Sequence, residues 1–271
     1  MTGRTSALDG LVETPWDRRV FGFATYEITK ASESLFQTIR AMPGHFTLRV
    51  DPLTPKGLLH QYGFYYCDTL IEPYCAKEKF RPVFDARVAA EPGFDPERAA
   101  AMCQGVFQYD RFHRDFHIDP AKADARYAAW VREIAASGRL YGLWFKGEAA
   151  GFFGCQGNKL ALHAVVPSFQ GRGLAKFFWS AVCQTLFEEG HAELVSSVSA
   201  ANAAVVNLYR SLGFSFRNPR DIYHLFNPPD GPIDQATSSQ RICPGDGLQY
   251  QQISGSKTDR YQDQNRTILR P

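Results

Sequence analysis

No apolar run in this 271-residue chain is long enough to cross a bilayer. The stretch from Met1 to Glu13 also lacks the apolar core of a secretory signal. Neither sign of charge is in excess: the formal net charge is +2, which implies no nucleic-acid or other polyanionic partner. The six cysteines (67, 75, 103, 155, 183 and 243) form no Cys-x-x-Cys pair. They read as reduced packing thiols of a cytoplasmic protein, not as a disulfide framework or a redox motif. No internal repeat is evident. Two glycine-loop signatures are missing as well. No Lys-Ser or Lys-Thr follows the glycines near 171–173, which excludes a Walker A loop, and their spacing is not the Gly-x-Gly-x-x-Gly of a dinucleotide fold.

What is present is a globular composition, 44% hydrophobic and 14% aromatic, enough to bury a core in one large or two small domains. In the C-terminal half, Asp119-Pro120 opens a helix that runs through Ser137 and stops at Gly138. Strands follow at Leu140–Phe145, Ala149–Cys155 and Lys159–Val166, joined by turns at Lys146-Gly147-Glu148 and Gln156-Gly157-Asn158. Then come a helix over Leu174–Glu188, a strand over Glu193–Val198, a short helix ending at Gly213, and final strands over 214–226. The N-terminal half is also α/β. Strands are expected at Val20–Ile28, His45–Val50 and Tyr65–Pro73, with a further one near 84–88. Helices are expected at Ser34–Met42 and Thr54–Tyr62. Pro92, Gly93 and Pro96 suggest a linker within 91–105, although Asp95-Pro96-Glu97 is also a helix start. The expected division is a companion α/β domain over 1–104, a second domain over 105–227, and a polar, disordered tail over 228–271.

The most informative stretch is Val165-Val166-Pro167-Ser168-Phe169-Gln170-Gly171-Arg172-Gly173-Leu174-Ala175. A strand enters it and an amphipathic helix leaves it. Glycine permits backbone angles that side chains forbid and lets a ligand approach the main chain. The first helical turn offers unpaired N–H groups and a partial positive charge, so the junction suits a phosphate. Downstream, Asn202 is followed after seven residues by Tyr209 and after four more by Gly213-Phe214, on a segment of helical spacing.

These residues resemble the GNAT superfamily of N-acetyltransferases. Gln170, Gly173 and Ala175 match its (Arg/Gln)-x-x-Gly-x-(Gly/Ala) signature, and Asn202, Tyr209, Gly213 and Phe214 match its partner motif. The resemblance implies a GNAT-type mixed, mostly antiparallel sheet flanked by helices. It implies acetyl-CoA as co-substrate and no metal. Val165, Val166, Gln170, Gly171, Arg172, Gly173, Leu174 and Ala175 would cradle the pyrophosphate and thioester, and Asn202 the pantetheine arm. Tyr209 would protonate the departing thiolate as a phenol of near-normal pKa, and a backbone N–H near Val165 and Val166 would stabilise the oxyanion. Trp16 to Phe23, Gly63-Phe64, Cys67-Asp68-Thr69-Leu70 and Arg111-Phe112-His113 resemble, more loosely, the branch that includes TDP-fucosamine acetyltransferase. That branch implies an amino-sugar acceptor carried on a nucleotide.

His163 lies two residues before Val165, on the strand face expected to carry Val165 and Ala161. It is a candidate base for the amine proton, against the alternative of a packed histidine. Tyr209 and Asn202 likewise have the plain readings of a core tyrosine and a helix cap. Arg111 and His113 are candidate acceptor contacts in a loop. His113 and His117 have the spacing of a helical zinc pair, but Asp119-Pro120 disfavours a helix there and no third ligand is evident. The resulting expectation is direct acetylation of a small primary amine, with a homodimer left open. Another acyl donor, a peptide or drug amine, or a non-catalytic acyl-CoA-binding or protein-interaction module are the alternatives.

Overall fold

A computed structural model describes residues 8–229. The expected tail from 230 onward and Cys243 lie outside the described residues. The described residues fall within one compact unit. No helix among them is long and apolar enough to cross a membrane.

The chain forms β1 (Leu11–Glu13), α1 (Pro15–Phe21), β2 (Thr25–Ile28), α2 (Glu33–Ile39), β3 (Gly44–Val50), α3 (Gly57–Gln61), β4 (Tyr65–Ala76) and β5 (Val88–Pro92). It continues with α4 (Pro96–Ala101), α5 (Pro120–Ser137), β6 (Arg139–Phe145), β7 (Glu148–Gln156) and β8 (Lys159–Val165). The last elements are α6 (Ala175–Glu188), β9 (Glu193–Ser196), β10 (Val198–Ser199), α7 (Ala203–Ser211) and β11 (Ser215–Asn227). One sheet runs in the order β1-β2-β3-β11-β4-β9-β8-β7-β6-β5, with β10 also paired to β4. Among the described strands, only β2–β3 and β8–β9 are parallel pairs. The sheet thus crosses the expected boundary near residue 104, because β11 lies between β3 and β4.

Local chemistry explains the elements. Asp119 caps α5 by accepting from the Ala121 N–H at 2.8 Å, and Pro120 presets the first helical residue. Val131 and Ile134 are then buried against Phe152, Leu162 and Ala164 of the sheet, each worth roughly 1.5–3 kcal/mol. On the opposite face α6 and α7 pack Phe178, Trp179, Leu186 and Tyr209 against Leu143, Phe153 and Leu160. A separate cluster covers one face of β2, β3 and β11 with Leu35, Phe36 and Leu59 from α2 and α3.

Three expectations shift. Val20 and Phe21 end helix α1, because Gly22 closes it in the left-handed conformation, and the strand starts only at Thr25. The strand expected at 84–88 is β5, four residues later, since Asp85 instead holds a turn by accepting from the Arg87 N–H. The linker region contains helix α4, capped by Asp95.

Candidate active site

Strands β8 and β9 pair only at Lys159–Val195 and Leu160–Ser196. β8 then continues to Val165 against β7 alone, while β10 pairs with β4. The sheet therefore opens between two parallel strands, and the loop 166–174 and α6 follow directly from the end of β8.

Gly171 and Gly173 hold φ of +72° and +70° in that loop, and a Cβ at either would point into open space. Glycine is required here by backbone angle, not by crowding. The amides of Gly171 through Lys176 donate to no acceptor among the described residues. Leu174 provides no side-chain cap to α6. This row of free donors at the start of a 14-residue helix fits a diphosphate. Gln170 turns back, its Nε2 donating to the Val165 carbonyl at 2.7 Å. Arg172 lies over the Phe169 ring, 5.1 Å from its centroid.

The two valines differ. The Val166 N–H is committed to the Ala150 carbonyl at 2.9 Å, so it is not free for an oxyanion. The alternation of the ladder turns the Val165 N–H to the opposite edge of β8, where β9 has already diverged. The strand face also needs correcting. The register of β7 and β8 slips between Gly154–Leu162 and Cys155–Leu160, which skips Ala161. Ala161 consequently packs in the α5-side cluster with Leu162, whereas Val165 packs with the α6-side cluster.

Tyr209 on α7 is fully buried on the α6 side. Its hydroxyl donates to Ser196 Oγ at 2.9 Å and lies 3.4 Å from His163 Nε2. Burial pushes the phenol well above its ordinary value, and the Ser196 hydrogen bond only partly opposes this. The expected near-normal phenol is thus corrected: the group is firmly protonated. His163 stacks on Phe153 at 4.7 Å and meets Trp179 edge-on at 4.6 Å. Burial pushes its imidazole down to about 3, so the ring is neutral and weakly basic near neutral pH. Asn202 caps α7, its Oδ1 accepting from the Val205 N–H at 3.2 Å; this leaves its Nδ2 free to donate.

The acceptor-loop residues separate in the same way. His113 is clamped at both nitrogens, by Asp110 at 2.5 Å and Asp124 at 3.2 Å. Burial would lower this imidazole, but those carboxylates outweigh it and raise the value. Its contacts therefore hold the loop to α5. Arg111 lies over the Phe112 ring at 4.4 Å, and its Nε is buried without a hydrogen-bond partner.

A second polar cluster was not foreseen. His45 Nε2 (2.9 Å) and His224 Nδ1 (2.6 Å) donate to Asp115 Oδ2, the His117 N–H donates to Oδ1, and the Tyr65 hydroxyl reaches both oxygens. The two imidazoles hold the Asp115 carboxyl far below the usual range despite its burial. His45, Asp115 and His224 have ligand atoms within 4.8 Å of one another, as a metal would need. A metal on His224 Nδ1 would however leave a buried Nε2–H without an acceptor. The trio forms a hydrogen-bonded hub that joins β3, β4, β11 and the 110–118 loop, with His224 Nε2 buried and unpartnered.

Residues 104–214 match the family model described as Acetyltransferase (GNAT) family. A GCN5-related N-acetyltransferase from Sphaerobacter thermophilus superposes with a TM-score of 0.54 at 13% identity, over 80% of this chain and 76% of that one. A tandem GNAT protein from the clavulanic acid biosynthesis pathway superposes with a TM-score of 0.50 at 13% identity, over 78% and 79% of the two chains. No curated protein matches in sequence. At these identities the structural likeness shows the fold: a mixed α/β, mostly antiparallel GNAT-like sheet flanked by helices. Together with the matched segment, this fold supports an acyltransferase of the GNAT type.

Proposed function

We propose that the chain moves an acetyl group from acetyl-CoA to the primary amine of a small molecule, by direct attack and without a covalent enzyme intermediate. Residues 105–227 carry the reaction in this reading. The observation that carries it is the buried Tyr209 hydroxyl, held by Ser196 on the same face of the sheet as the free amides that open α6. Acetyl-CoA supplies the activated acyl group as a thioester. The amides of Gly171 to Ala175 would bind its diphosphate and Asn202 Nδ2 its pantetheine arm. The Val165 N–H is the oxyanion donor, and Tyr209 Oη donates its proton towards the departing sulfur. His163 packs beside the phenol and orients it. The core around Phe153, Trp179 and Tyr209 excludes water from that side.

Arg111 supports the finer reading of an amino sugar borne on a nucleotide. No carboxylate among the described residues pairs with its guanidinium, so it remains available for a phosphate. The test is thiol release from acetyl-CoA with a panel of amines: an amino sugar, a nucleotide-linked amino sugar, a polyamine and a lysine peptide. Mass spectrometry identifies the acetylated product. Turnover with the amino sugars supports the reading. Thermal stabilisation by CoA with no turnover on any amine would leave only an acyl-CoA-binding module.

A further inference from the structure

Asp68 on β4 is fully buried, at 0% exposure. It stands next to the segment of β4 that pairs with β10, just beyond the point where β9 leaves β8. Its Oδ1 accepts three hydrogen bonds, from Ser199 Oγ at 2.7 Å, Arg114 Nη1 at 2.9 Å and the Thr69 N–H at 2.9 Å. Its Oδ2 is equally buried and accepts none. Carboxylate charge is shared by both oxygens, so a purely structural ion pair gains nothing from crowding one and starving the other. An unsatisfied buried carboxylate oxygen is costly unless a donor or cation reaches it.

The position of Asp68 fits one donor in particular. The run β9–β10 carries Ser196, which receives the Tyr209 hydroxyl, and Ser199, which donates to Asp68. Three residues of extended chain span about 10 Å, and side chains three apart point to opposite faces, so the phenol and Asp68 flank this strand from its two sides. In acyl transfer to an amine, the nitrogen and sulfur flank the carbonyl carbon, and the reacting atoms start roughly 3–3.5 Å apart. Adding a hydrogen bond of about 3 Å at each end separates the proton donor on sulfur from the proton acceptor on nitrogen by roughly 9 Å. His163, at 3.4 Å from the phenol, is on the donor's side of that gap.

We propose that Asp68 Oδ2 holds the nitrogen of the acceptor amine and takes the proton it sheds. This rests on the acyl-transfer reading above. The nitrogen lone pair forms the N–C bond and the C–S bond breaks. The Tyr209 proton goes to sulfur and the amine proton to Asp68, and both groups then re-equilibrate with solvent, so that amine and thioester become amide and thiol. Burial raises the Asp68 carboxyl, with Ser199, Arg114 and the Thr69 amide opposing it and Asp110 adding to it. Cys67 on the same strand also faces it electrostatically.

The full chain tests this with the amine that turns over best, or with glucosamine if none does. Asp68→Asn should lower kcat about 100-fold or more and abolish the rise in Tm produced by the amine alone. The rise produced by CoA should remain. The acid limb of the wild-type pH profile should vanish in Asp68→Asn. It should move to higher pH in Arg114→Met, which removes the cation that lowers Asp68. Wild-type rate and amine-induced stabilisation in Asp68→Asn would overturn the proposal, as would an unmoved acid limb in Arg114→Met if Asp68→Asn does not fold. Absence of turnover by the wild type on every amine overturns the acyl-transfer reading itself. Loss of amine-induced stabilisation in Asp68→Asn alone separates that failure from a failure of the Asp68 assignment.

Discussion

The Tyr209 hydroxyl donates to Ser196 Oγ over 2.9 Å, which ties α7 to the last residue of β9. Ser196 is also the point at which β9 stops pairing with β8, so the phenol is fixed at the apex of the opening. Tyr209→Phe keeps the ring and loses the proton donor. Its kcat should fall about 100-fold with little change in the KM for acetyl-CoA. Full turnover by this variant, measured as thiol release, would remove the acid role.

The Tyr209 phenol is raised by burial, and a raised acid keeps its proton into the alkaline range. The rate should accordingly show no loss from phenol ionisation up to about pH 10, the ordinary tyrosine value. A stopped assay over the alkaline range checks this, and a falling limb there that is absent from Tyr209→Phe would contradict it.

Gly173 has a positive φ and no neighbour near its Cβ direction. Gly173→Val should strain the loop by about 1–3 kcal/mol and push a side chain into the space where the free amides point. The KM for acetyl-CoA should rise at least tenfold, and the thermal shift produced by CoA should shrink. An unchanged KM would separate the loop from the diphosphate.

The Asp115 hub is structural. Asp115→Ala leaves His45, His224 and Tyr65 buried without their acceptor, and should cost about 3–5 kcal/mol in urea unfolding. A variant within 1 kcal/mol of wild type, taking that as roughly the typical effect of any point substitution, would show that the hub contributes little.

His163 and His224 are both pushed down to about 3 by burial. The folded state therefore binds fewer protons than the unfolded chain between their folded values and the ordinary histidine value of about 6.5. Stability should fall as pH drops below about 6.5, by at most about 1.4 kcal/mol per pH unit for each ring. Tm measured at successive pH values through the mildly acidic range reads this directly, and a flat profile there would count against both burials.

The elements that carry strong local chemistry were legible. The span of α5 from Pro120 to Ser137 follows from Asp119-Pro120 at one end and Gly138 at the other. The turn between β6 and β7 needs positive φ at Lys146 and Gly147, which that pair announces. That Tyr209 shares an apolar cluster with Leu174 and Ala175 at the start of α6 follows from no local pattern. The Asp115 hub joins residues 45, 65, 115 and 224, and no local pattern links positions so far apart in sequence. The skipped Ala161 was equally hidden, because a bulge leaves the apolar pattern of β8 nearly intact while moving one side chain to the other face. Asp68 and Ser196 do not stand out either, since Tyr65–Ala76 also carries Thr69 and Glu72 and the four-residue strand Glu193–Ser196 also carries Glu193.

The insertion of β11 between β3 and β4 has a consequence for biosynthesis. Ser215–Asn227 is the last described strand to leave the ribosome, and it is the seam that joins β3 on one side to β4 on the other. Until it is made, a nascent chain carries two open strand edges in the middle of its future sheet, the kind of edge that templates aggregation. The emergence of β11, and not of the glycine loop or α7, is what closes the described sheet.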